Sequence, residues 1–165
     1  MDGLDLAGLA LRWVHILTAI TLMGGAIFQR FALMPAAAEL DDAAHERLKV
    51  AVRGYWSKMV MMSAGGLLLS GLVNVGILIA NYTLAKPYHM IFGIKFLLAL
   101  VVLYIASLLA GRSAAAERAR QNARNLLTVN LVLATIVVCL GGYLRIIDRT
   151  PKGAAPAVSA ASSAR

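Results

Sequence analysis

Apolar residues fall in four long blocks, roughly 9–34, 59–81, 88–111 and 125–147, and polar stretches separate them. Each block is long enough to cross about 30 Å of hydrocarbon as a helix. A segment in hydrocarbon must satisfy its backbone groups internally, so the pattern predicts four transmembrane helices. The turn around Lys86 and Pro87 is short enough to force antiparallel neighbours. The expected fold is all-α, an integral membrane antiparallel four-helix bundle over 1–147. A tail over 148–165, rich in Ala, Ser and Pro, reads as disordered.

The flanks refine these spans. Arg12 and Trp13 near the start of the first block, and Gln29 and Arg30 near its end, resemble membrane interfaces, and Pro35 reads as a stop. Asp2, Asp5 and the length of the apolar run argue against a cleaved leader. The polar stretch from Glu39 to Lys58 reads as a connector, with Leu48, Val50, Val52, Tyr55 and Trp56 placed to lie against head groups as a surface helix. A second basic connector covers Arg112 to Arg124.

Composition excludes a water-soluble globule: 60% of the 165 residues are hydrophobic and 15% charged. Soluble domains carry about 45–50% and about 25%. The net charge of +8 comes from basic residues just outside the apolar blocks, where anionic lipid head groups lie, and no basic stripe interleaves with aromatics as nucleic-acid binding requires. Nine Lys and Arg flank one side of the expected bundle: Arg30, Arg47, Lys49, Arg53, Lys58, Arg112, Arg118, Arg120 and Arg124. Six flank the other: Arg12, Lys86, Arg145, Arg149, Lys152 and Arg165. The excess favours cytoplasmic connectors, with both termini on the outer face.

Ionisable residues inside a membrane are costly and mark function. His45 lies in a connector, but His15 is in the first span and His89 opens the third from the same end. An antiparallel bundle brings both into one leaflet, where two imidazoles could share a metal ion or a haem. Two interface histidines bonded to lipid, water or a carbonyl would look the same in sequence. Lys95 lies six residues beyond His89, about 9 Å deeper and rotated by about 120°. Arg12 and Arg145 flank the same end and could hold acidic groups such as haem propionates, or could snorkel.

Small and polar residues recur at helical spacing. The first span has Arg12, His15, Thr18, Ala19, Leu22, Gly25, Ala26 and Gln29; the second has Ser63, Gly66, Ser70, Asn74 and Asn81; the fourth has Thr128, Thr135, Gly142 and Arg145. These stripes fit a cofactor cavity and fit close helix packing equally well. Met59, Met61 and Met62 cluster at the end opposite the histidines, where apolar filling accounts for them. The single cysteine, Cys139, provides neither a disulfide nor a CxxC site. No phosphate loop, HExxH or nucleophile constellation is present, so catalytic residues are unassigned.

Arg12-Trp13-Val14-His15-Ile16-Leu17 followed by Gly24-Gly25-Ala26-Ile27-Phe28 resembles the first helix of the copper-resistance D (CopD) family. Ser70-Gly71-Leu72-Val73-Asn74 and Tyr88-His89-Met90-Ile91-Phe92-Gly93-Ile94-Lys95 extend the likeness. The chain is also similar in size and plan to HemJ-type four-helix membrane proteins. The first resemblance implies copper handling or transport, with His15 and His89 as metal ligands. The second implies b-type haem and porphyrin oxidation, with His15, His89 and Lys95 as the residues carried over. A third reading is a non-catalytic membrane subunit or assembly factor, in which the basic connectors recruit a membrane protein partner or a second copy.

Overall fold

The computed structural model describes residues 3–84, 86–147 and 149–152. In chain order these form α1 (Gly3–Phe28), a π-helical turn (Gln29–Leu33), α2 (Met34–Ala37), α3 (Asp42–Asn81), β1 (Tyr82–Leu84), α4 (Lys86–Ala110), α5 (Ala114–Arg120), α6 (Ala123–Ile146) and β2 (Arg149–Pro151). Four helices, Leu6–Ala37, Asp42–Asn81, Pro87–Ala110 and Ala123–Ile146, are long and apolar enough to cross a membrane.

Helix boundaries differ from the sequence expectation in two places. Pro35 does not stop the first helix. A proline lacks the N–H for the usual bond four residues back, and the chain widens instead into a π turn, with the Met34 N–H reaching Gln29 O. The helix then runs through Pro35 to Ala37. The stretch before the second span is likewise not a separate surface helix. Asp41 caps it by accepting the Ala44 N–H at 2.8 Å, and no proline interrupts the residues that follow. The result is one helix of 40 residues, long enough at about 1.5 Å per residue to exceed a bilayer.

The long helices alternate in direction. α1 packs on α3, α4 on α6, and the two pairs meet where α3 adjoins α4 and α1 adjoins α6. Glycines set the α1–α3 seam. A β-carbon at Gly66 would lie 3.1 Å from the Thr18 methyl, and one at Gly25 would overlap the Trp56 ring. Ala26, Leu127 and Leu131 form a core with Met23, Met34 and Leu109 between α1, α4 and α6. Few other apolar side chains are buried, while Leu17 (62% exposed), Ile20 (61%) and Leu97 (64%) stand outward. Such a surface suits a hydrocarbon solvent, where small residues and polar bonds hold helices together.

Both ends carry tethers. At the connector end Arg30 Nε donates to Thr128 Oγ1 at 3.0 Å. Arg120 Nη1 donates to the Gly111 carbonyl at 2.6 Å, and Nη2 pairs with Glu117. At the other end β1 and β2 pair antiparallel, Tyr82 with Pro151 and Leu84 with Arg149. The Lys152 backbone N–H donates to Asn81 O at 2.9 Å, and its Nζ donates to Ile79 O at 2.8 Å. Residues 149–152 of the expected disordered tail are therefore ordered, because they add a strand to the α3–α4 turn. The remainder of that tail lies outside the described residues.

Candidate functional site

The polar stripe of α1 turns inward as expected: His15, Thr18, Ala19, Leu22 and Gly25 are half-buried and Ala26 is buried, while Arg12 is exposed. On α3, Ser63 and Ser70 are buried. Ser70 Oγ donates to the Gly66 carbonyl one turn back and lies 2.9 Å from His15 Nδ1. A β-carbon at Gly71 would lie 3.2 Å from His15 Cε1, so the bare glycine lets the ring lie against α3.

Lys95 belongs to the opposite pair of helices. It is half-buried on α4. A β-carbon at Gly141 of α6 would lie 3.3 Å from Lys95 Nζ, so this glycine makes room for the amine. His15 and Ser70 thus form a polar cluster on one helix pair, and Lys95 beside Gly141 stands on the other. Counting from Leu6 and from Pro87, His15 and Lys95 lie about 12–14 Å along their helices, near the middle of a bilayer-length span.

His89 is not part of this cluster. Its side chain is exposed, and its ring meets Tyr88 edge-on at 6.3 Å. Among the described residues no hydrogen bond or ring contact joins it to His15. Helical phase is the cause: Tyr88, seven residues before Lys95, shares its inward face and is buried, which turns His89 outward. No three His, Cys, Asp or Glu gather as a metal-holding group among the described residues. Arg12 and Arg145 are exposed, one turn from His15 and Gly141 towards the N-terminal end.

The α6 stripe also faces the other way. Thr128, Thr135, Gly142 and Arg145 are exposed, whereas Leu127, Asn130, Leu131 and Leu144 are buried. Thr128 and Thr135 donate their hydroxyls to carbonyls one turn back. Asn130 Oδ1 is buried with no hydrogen-bond partner among the described residues. Among the contributors, Ser70 belonged to a recognised stripe, and Ser70 and Gly71 to a tract of the family likeness, but neither to the expected site; Gly141 gave no sequence signal beyond being small.

A second concavity, about 310 Å³, lies between the π turn and the outer half of α3, against Phe28, Leu33, Val52, Tyr55 and Trp56. Its lining is apolar apart from Gln29 and the Tyr55 hydroxyl. Beyond the apolar spans, the Arg120 hydrogen bond holds the Glu117 carboxyl below its usual range, and Arg53 and Lys49 add to the effect. Comparison with protein-family models, curated proteins and solved structures finds no match to this chain.

Proposed function

We propose that this chain is a multi-pass protein of the bacterial inner membrane, an antiparallel four-helix bundle that holds a b-type haem at His15 and moves electrons, in the manner the HemJ resemblance implies. The observation that carries the reading is the placement of His15 and Lys95, both half-buried, at the same mid-depth on different helix pairs. An imidazole there would hold a haem iron, and an ammonium at that depth would hold an acidic ligand group. The haem, when bound, supplies one-electron chemistry; the chain supplies His15 as ligand, Lys95 Nζ as a charge or proton partner, and apolar helices that exclude water. Arg12 and Arg145 stand one turn nearer the surface as further anion contacts. The surplus of basic residues on the connector side supports periplasmic termini.

Copper handling, which the CopD resemblance implies, uses the same His15. It draws less support, because His89 and the Met59, Met61 and Met62 trio lie elsewhere and a lysine at the depth of His15 opposes a bound cation. The subunit reading rests on the basic connectors alone. Absorption spectra with metal analysis on detergent-purified protein separate the three. A Soret band lost in His15→Ala and kept in His89→Ala is expected. A colourless protein carrying stoichiometric copper would establish the CopD-like reading instead. Colourless, metal-free protein from cells supplied with haem precursors would favour the subunit.

A further inference from the structure

Ser70 is 2% exposed and has a single hydroxyl hydrogen to give. Its Oγ sits very close to the Gly66 carbonyl oxygen, with Leu67 O at 3.4 Å as a second acceptor. Two oxygens so close repel unless a hydrogen lies between them, so that hydrogen is committed to the helix backbone. Towards His15 Nδ1, 2.9 Å away, the Ser70 oxygen is left only its lone pairs. The ring must then bring the hydrogen, from Nδ1 to the Ser70 oxygen.

We infer that Ser70 is a positioning residue that fixes the neutral His15 ring in the tautomer protonated at Nδ1, which leaves Nε2 as its one free lone pair. Gly71 serves the same end by leaving space beside Cε1, so that adjacent residues provide the acceptor and the clearance. An acceptor behind the ring that sets the tautomer also orients the ring, and so decides which atom meets a ligand. What binds at Nε2 rests on the haem reading; the tautomer is a property of the chain itself.

The test is nitrogen NMR of the histidine-labelled, haem-free protein in phosphatidylcholine nanodiscs. A His45→Asn, His89→Asn background leaves His15 as the only histidine signal. The expected spectrum has a pyrrole-type Nδ1 and a pyridine-type Nε2. Ser70→Ala should convert this to a mixture of tautomers, Ser70→Thr should restore the single form, and Ser63→Ala, at the other buried serine of α3, should change nothing. A pyridine-type Nδ1 in the parent, or a Ser70→Ala spectrum identical to it, overturns the inference. Should Ser70→Ala fail to fold, the parent and Ser70→Thr spectra still decide. Loss of the Soret prediction with a pyrrole-type Nδ1 removes the haem reading and leaves this one standing; bound haem with a pyridine-type Nδ1 does the reverse.

Discussion

His15 and His89 stand on helices that start from the same end of the bundle, and a sequence reader would pair them. The folded chain treats them in opposite ways. His15 is pressed into the α1–α3 seam, bonded to Ser70 and backed by Gly71. His89 is exposed on α4, its ring edge-on to Tyr88. Depth along a span therefore does not decide which histidine enters the bundle. Rotational phase, and the room neighbouring helices leave, decide it.

That contrast can be broken most forcefully through glycine. Gly71→Leu drives a side chain into the His15 ring and should destabilise the protein by about 1–3 kcal/mol, the usual cost of overpacking. Gly93→Leu, one turn from His89 where a β-carbon meets nothing within 4 Å, should leave stability unchanged or slightly improved. Thermal unfolding in dodecylmaltoside measures both, and equal losses would erase the distinction between the two histidines.

Lys95→Met sharpens it at a smaller scale. A half-buried ammonium burdens the fold, so its removal should raise stability by about 1 kcal/mol while abolishing the redox activity proposed above. A loss of stability would instead make Lys95 a structural strut. The smallest effect belongs to the connector end. Glu117 has a depressed folded-state pKa, so its contribution is present above the ordinary carboxylate range and fades as pH falls through the folded value. Acidification should lower the midpoint a little less in Glu117→Gln than in the parent.

Much of this was legible because hydrocarbon is an exacting solvent. The apolar blocks located the four long helices, and His15 and Lys95 were conspicuous as ionisable groups within them. The neighbours each of them meets were not, since these depend on how α1 and α4 rotate about their axes. The heptad from Tyr88 to Lys95 carried part of that information: two residues seven apart share a face, and the six-residue step from His89 cannot. The α6 stripe misled for a related reason. Thr128 and Thr135 give their hydroxyl hydrogens to their own helix backbone, so facing outward leaves neither donor unsatisfied. Pro35 misled because a π turn can absorb a proline that would end an ordinary α-helix.

The small β1–β2 pairing bears on the order in which the molecule is made. It joins Tyr82 to Pro151, so α4, α5 and α6 must all be synthesised and in place before its hydrogen bonds can close. Contacts between residues so far apart in sequence carry a loop-closure cost and come late in folding. The pairing is thus a completion mark, formed only on chains whose last two long helices have already found each other. Protease protection of the α3–α4 turn would accordingly count finished molecules during biogenesis.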